Sequence, residues 1–122
     1  MIGAPLLFRR RPETFAMTFI DVLVTCPDRA CAEAIARACV SERLAACANI
    51  GSGISSVYWW KGAIETAEEV PLLLKTRSGL FDALSARVKA LHPYETPCIV
   101  ATEFVAVEAG YAAWLEEETL DQ

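Results

Sequence analysis

A short segment between two prolines holds the most reactive groups of the chain. His92 is the only histidine, Tyr94 and Glu95 follow Pro93, and a thiol comes at Cys98 after the second proline. Proline holds φ at about −65° and disfavours helix at the residue before it, so the segment predicts a stiff turn. Imidazole binds borderline metal ions and transfers protons near neutral pH. The segment therefore indicates a metal site or an acid–base group, and the alternative is a rigid helix-to-strand connection capped by His92.

The donor types at this turn favour binding over catalysis. Imidazole and thiolate both suit copper or zinc, so His92 and Cys98 are predicted to bind a divalent cation weakly. Two ligands fall short of the usual tetrahedral set, and symmetry-related chains would have to supply the others. An enzyme would use His92 as a base with Cys98 or Tyr94 nearby. The segment shows no oxyanion loop and no third group to orient the base, so we expect no catalysis.

Length and composition limit the kind of protein. A chain of 122 residues is expected to form one domain with a modest core. Its formal net charge of −5 argues against binding to nucleic acid, which requires clustered positive charge. The hydrophobic fraction of 54% leaves more apolar surface than one small chain can hide, and burial between identical subunits is the expected outlet.

The cysteines and the N-terminal residues indicate the compartment. Five cysteines without a CxxC pair predict free thiols, most of them core filler, in a reducing, cytoplasmic location. The basic residues 9–11 follow a short apolar run instead of preceding a long one, so no signal peptide is expected. No segment approaches the roughly 20 apolar residues of a membrane span. Residues 1–16 are expected to be a flexible arm before a single domain at 17–122.

Hydrophobic patterns and turn residues predict an alternation of strands and helices. In chain order they predict a strand at 18–25, a helix at 29–43 and an extended region at 44–60 that bends at Gly51-Ser52-Gly53. A strand at 63–76, a helix from Ser78 to His92, a strand at 98–107 and a short helix at 109–118 follow. This order is the split βαβ, ferredoxin-like α+β pattern. It predicts one antiparallel four-stranded sheet with both long helices on one face.

The second and third strands are predicted to form a hairpin that extends beyond the body of the domain. Lys61-Gly62 is its turn signal. Trp59 and Trp60 point to opposite faces of the strand, so one can enter the core and the other needs a cover. A second subunit is the simplest cover.

Five sequence blocks resemble the CutA-type divalent-cation tolerance proteins, over about residues 19–115. They are Arg43-Leu-Ala-Ala-Cys-Ala-Asn-Ile50, Ser56-Val-Tyr-Trp-Trp-Lys-Gly62, Glu69 with Leu74-Lys-Thr76, His92-Pro-Tyr-Glu-Thr-Pro97 and Tyr111-Ala-Ala-Trp-Leu115. The resemblance implies a ferredoxin-like homotrimer, whose sheets pack together as in the PII signalling proteins, and a role in tolerance to copper and other divalent metals. A PII-like scaffold recognised by a partner protein through the hairpin is the alternative function.

The resemblance also implies further candidates for the site. Cys47, in the first block, is a possible third metal ligand or a packed thiol. The residues that would line a cleft between subunits, for metal or a small ligand, are Trp60, Glu69, Lys75, Tyr94 and Glu95, and His92 is expected beside them. Glu69 and Lys75 would alternatively form a structural ion pair, and Trp60 and Tyr94 a packing contact. The chain departs from the family pattern at Cys98, where a glutamate is usual, and at Leu91, where some members have a second histidine.

Overall fold

The computed structural model describes residues 18–121, so the arm expected at 1–16 lies outside the described residues. The strands are β1 (Phe19–Cys26), β2 (Cys47–Ile50), β3 (Ile54–Trp60), β4 (Ala63–Arg77) and β5 (Ile99–Glu103), and the helices are α1 (Arg29–Ser41), α2 (Phe81–Leu91) and α3 (Ala109–Glu117). A 3-10 turn, Ser78–Leu80, leads into α2.

The strands form one antiparallel sheet in the order β2-β4-β1-β5, with β3 paired to the free first half of β4. In the central pair, Asp21 is opposite Lys75 and Cys26 is opposite Val70. The crossovers through α1 and α2 give the ferredoxin-like α+β topology that the order of elements predicts. The predicted fold class is therefore confirmed.

Helices α1 and α2 cover one face of the sheet. Along β1 the buried residues alternate with half-buried ones, because successive strand side chains point to opposite faces. Helix α1 buries Ala32, Ile35, Ala36 and Cys39, the i, i+3, i+4, i+7 spacing of one helix face. The opposite face of the sheet carries Leu73 and Val100, which remain exposed in a single chain.

The predicted second strand is divided at the glycines. β2 and β3 both pair with β4, and between them Gly51 donates its N–H to the Pro71 carbonyl at 2.9 Å. A Cβ at Gly51 would lie 2.9 Å from the Pro71 ring, so the bend needs glycine there. The predicted bend is thus confirmed. Because the predicted second strand is divided into β2 and β3, the sheet has five strands instead of the four that the sequence predicts.

Several details of the sequence prediction are wrong. The second long helix does not start at Ser78, because a 3-10 turn intervenes and α2 starts after Leu80 without a side-chain cap. Leu91, the last residue of α2, is exposed. Neither Trp59 nor Trp60 is buried in the chain. None of the helices within residues 18–121 is both long enough and apolar enough to cross a membrane.

Candidate metal site

Three metal-binding side chains from different elements converge at one end of the sheet. Cys26 ends β1, Cys31 lies in the first turn of α1, and His92 follows α2. Their ligand atoms lie within 4.8 Å of one another, and among residues 18–121 this is the one group of three or more such donors close enough to hold an ion. We call these three residues the thiol–imidazole cluster.

Local structure fixes the two thiols. The turn at Pro27 stops β1, and the Asp28 side chain accepts a hydrogen bond from the Cys31 amide at 2.8 Å as the N-cap of α1. This cap folds the first helical turn back over the end of β1. Cys26 is fully buried and Cys31 is half-buried. Cys26 and Cys31 are five positions apart in the sequence. They lie close together because the end of β1 is next to the capped start of α1.

The His92 ring is held by backbone groups on both sides. Its Nε2 lies 2.9 Å from the carbonyl oxygen of Thr25, and its Nδ1 accepts the Tyr94 N–H at 3.2 Å. A carbonyl can only accept, so Nε2 carries the proton and Nδ1 the lone pair. The backbone N–H of His92 also donates to Val88 at 2.9 Å and closes α2. The expected C-cap and the expected ligand are thus the same residue.

Tyr94 and Glu69 close the cluster on the side of β4. The Tyr94 ring packs edge-on against His92 with centroids 4.6 Å apart, and its hydroxyl donates to Glu69 at 3.0 Å. Glu69 is buried, although it is a carboxylate. Burial and the Glu69 carboxylate raise the pKa of Tyr94 to about 12, so its hydroxyl stays protonated and remains a donor.

Both thiols of the cluster are neutral in the metal-free chain. Burial is the main cause that raises the pKa of Cys26 to about 12, and Cys31, Asp28 and Glu69 raise it further. Burial also raises the pKa of Cys31, with a smaller rise from the Asp28 charge. A thiol with a raised pKa is a poor nucleophile, since the thiolate is the reactive form. Metal binding would have to release the protons of both thiols, so the raised pKa values oppose it as well, and the case for a cation rests on the donor set.

Two of the other candidates lie near the turn without joining the cluster. Glu95 is exposed and its carboxylate lies 3.7 Å from Lys61 at the tip of the hairpin. The same Lys61 ammonium lies 5.3 Å from the centroid of the Trp60 ring. Both residues thus occupy the surface between the turn and the hairpin tip.

Lys75 and Cys47 lie at the other end of the sheet. Lys75 is opposite Asp21 in β1 and Cys47 in β2, whereas His92 contacts Thr25, four residues further along β1. At about 3.3 Å per residue, this separates them by about 13 Å. Within one chain His92 and Lys75 therefore lie apart, and their expected proximity at a cleft between subunits stays a prediction.

Of the two alternatives for Glu69 and Lys75, the structural ion pair does not form within the chain. Lys75 Nζ donates to Asn49 at 2.8 Å and lies 3.5 Å from Asp21, while Glu69 accepts from Tyr94. The two lie six positions apart along β4. Lys75 thus neutralises Asp21 on the open face of the sheet.

The sequence prediction of the site named His92 and missed its two thiol neighbours. Cys98 is half-buried just before β5, and neither it nor Cys47 belongs to the thiol–imidazole cluster. Both remain predicted ligands that no observation tests. The prediction that most of the five cysteines are core filler does not single out Cys26 and Cys31. The available signal was the Pro27-Asp28 cap, which places Cys31 beside the end of β1.

The fold and the cluster together define a class: a ferredoxin-like α+β protein with a candidate site for soft or borderline cations. The chain belongs to the family of the CutA1 divalent ion tolerance protein, whose model matches residues 20–118. The family assignment made from the sequence blocks is thereby confirmed.

Relatives from distant organisms share this region. The divalent-cation tolerance protein CutA of Thermus thermophilus is 47% identical over 98 residues, which are 80% of this chain and 95% of the relative. A rice chloroplastic protein, CutA 1, is 43% identical over 100 residues, which are 82% of this chain and 56% of that relative. The chain thus spans little more than half the length of the rice protein.

Solved structures agree with the fold. The crystal structure of CutA1 from Oryza sativa has a TM-score of 0.84 at 40% identity, covering 88% of this chain and 99% of that one. The divalent cation tolerance protein from Thermus thermophilus has a TM-score of 0.81 at 46% identity, covering 83% and 98%. The ferredoxin-like fold is therefore shared with a plant relative and a bacterial relative.

Proposed function

We propose that this protein is a homotrimer that contributes to tolerance of divalent metal ions, copper above all, by binding them at the turn around His92 without a catalytic step. The observation that carries the proposal is the buried imidazole beside two thiols, a donor set that suits copper and zinc. The printed names of its relatives refer to divalent-cation tolerance. Free thiols within residues 18–121 favour a reducing compartment, the cytoplasm in this proposal.

The trimer would place the turns of neighbouring chains at shared clefts. Trp60 and Glu95 lie on the surface near the hairpin tip, and Tyr94 is partly exposed beside the thiol–imidazole cluster, so a second chain can pack against all three. Cys47 and Lys75, which lie at the other end of the sheet in their own chain, would then approach His92 from another subunit. Cys98 lies outside the thiol–imidazole cluster of its own chain. Light scattering at micromolar concentration tests the assembly, since a mass of one chain would overturn it.

The test of metal binding compares His92→Ala with the parent protein in a calorimetric titration with copper(II). We expect the parent to bind weakly and His92→Ala to lose binding, because no other imidazole is present. The variant should retain the oligomeric mass, since His92 lies in a turn. Equal copper(II) binding by both proteins would show that His92 is only a helix cap.

A second candidate function is a signalling scaffold whose hairpin is recognised by a partner protein. The observation in its favour is an apolar hairpin face formed by Val57, Trp59 and Ile64, which are 69%, 71% and 62% exposed. Such a patch marks an interaction surface. If light scattering gives a monomer that still binds copper(II), this surface is left for a partner protein and the scaffold becomes the better proposal.

A further inference from the structure

We propose that Cys26, Cys31 and His92 form a metal site that binds copper(I) in preference to copper(II). Its two thiolates and one imidazole all come from a single chain. This inference rests on the proposed function and deepens it by naming the class of ion and a ligand set that needs no second subunit. The donors of the site are Cys26 Sγ, Cys31 Sγ and a His92 ring nitrogen.

The distances are near those of a metal site. Metal–sulfur bonds of about 2.3 Å in a trigonal or tetrahedral site place the ligand atoms about 3.7–4.0 Å apart. The three ligand atoms are already within 4.8 Å, so each has to move by less than about 1 Å. Cys31 is half-buried in the first turn of α1 and has the room to make this adjustment. Two thiolates and one imidazole also match the preference of copper(I) for soft ligands.

The hydrogen bonds of His92 leave one ring nitrogen with a lone pair for a ligand. Its Nε2–H donates to Thr25, and a ligating histidine usually donates its second N–H to a carbonyl or carboxylate in the same way. The lone pair of Nδ1 accepts the Tyr94 amide at 3.2 Å. An ion that takes this lone pair displaces the amide and leaves the bond to Thr25 in place.

The charges around the cluster favour a cation. Asp28 caps the helix next to Cys31, and buried Glu69 precedes Val70, the strand partner of Cys26. Both carboxylates act on the Cys26 thiol with a negative potential. The site therefore offers negative potential and two soft donors, and it excludes water because Cys26 and His92 are buried.

The chain offers its own matched controls. Cys98 and Cys47 are half-buried free thiols outside the cluster. Cys98→Ser and Cys47→Ser therefore make the same thiol-to-hydroxyl replacement at positions outside the proposed copper(I) site. Cys31→Ser is the main test variant because Cys31 is not fully buried and a hydroxyl can replace its thiol. Cys26→Ala is the second variant.

The experiment titrates the whole protein, purified without a metal-affinity tag, with copper(I) under anaerobic conditions against a chromogenic copper(I) chelator. We expect one copper(I) per chain, and at least about tenfold weaker binding in Cys31→Ser and Cys26→Ala. Cys98→Ser and Cys47→Ser should bind like the parent. X-ray absorption at the copper edge should count two sulfur ligands in the parent and one in Cys31→Ser. The oligomeric mass of every variant is measured alongside.

Two results would overturn this site. One is parent-like copper(I) affinity and sulfur count in Cys31→Ser. The other is an equal loss in Cys98→Ser, which would move the site to the turn itself. In either case copper(II) binding that depends on His92, in a trimer, would leave the proposed function standing. If the parent binds neither copper ion, the proposed function falls together with this site.

Discussion

Cys39 is a buried thiol of α1 whose ionisation couples stability to pH. It is fully buried in the core, and burial, with a smaller effect of Glu42, raises its pKa to about 11. In the unfolded chain the thiol ionises near its ordinary pKa, about 8.5, so folding requires the neutral form. Stability from this group is complete below that pH and is lost as the pH rises towards 11.

We predict that Cys39→Ala flattens the alkaline part of the stability curve. Between pH 8 and 11 the parent should lose about 2–3 kcal/mol more than the variant. The variant should be less stable than the parent at pH 7, because it lacks a buried sulfur atom. Urea denaturation under reducing conditions at several pH values measures both effects. Cys26 contributes equally to both proteins, so an unchanged slope in Cys39→Ala would contradict the prediction.

For single residues, the sequence shows which side chains could bind a metal better than it shows which side chains lie next to each other in space. His92 stands out because it is the only imidazole and lies beside proline. Its thiol neighbours are missed because the Pro27-Asp28 cap indicates that α1 begins next to the end of β1 but does not give the angle at which the helix leaves the strand. Cys98 is nearer in sequence, yet it belongs to the start of another strand and not to the cluster.

The hairpin turn is the element whose backbone is most constrained. Lys61 and Gly62 both have positive φ, 50° and 85°, which is the two-residue turn that matches the twist of a hairpin. We predict that Gly62→Ala destabilises the protein by about 1 kcal/mol, because alanine disfavours this φ. The cost is conformational only, since a Cβ there would meet nothing within 4 Å.

Gly53 provides the matched control. A Cβ at Gly53 would lie 3.8 Å from the Glu69 carbonyl, an ordinary contact, and its φ is outside the left-handed range. Gly53→Ala should therefore change the free energy of unfolding by less than Gly62→Ala. Denaturant midpoints of the two variants measure the difference, and an equal loss in both would contradict the turn argument.

The predicted boundaries of elements are wrong where pairing with a neighbouring strand, and not the sequence pattern, determines where the element ends. β5 was expected to reach residue 107 but ends at Glu103, because it is an edge strand and β1 begins at Phe19. The Phe104 N–H makes the last bond to Phe19, and Val105 then projects fully into solvent. The bend at Gly51 was predictable, since glycine next to a proline-containing strand marks a close approach.

At the scale of the molecule, apolar surface is concentrated on the hairpin face of Val57, Trp59 and Ile64. Trp59 is opposite Ile64 in the ladder, so the two side chains lie on the same side of the hairpin. β3 pairs only with β4 among the described strands, and the hairpin extends about 20 Å beyond the region that β1 covers. Part of the excess apolar surface that the hydrophobic fraction of 54% predicts thus lies on this hairpin face.

We predict that the hairpin face holds the proposed trimer together and that Trp59→Lys dissociates it. A lysine there removes the largest apolar side chain of the face and places like charges near the contact of every subunit. Val105→Lys is the matched control, because Val105 is 102% exposed and lies outside the hairpin face. Light scattering should give three times 13.3 kDa for the parent and Val105→Lys, and a smaller mass for Trp59→Lys. Far-UV circular dichroism should show that Trp59→Lys remains folded, since Trp59 makes no part of the core cluster. A folded Trp59→Lys variant that keeps the parental mass at micromolar concentration would place the subunit contact on another surface, such as the open face of the sheet at Leu73 and Val100.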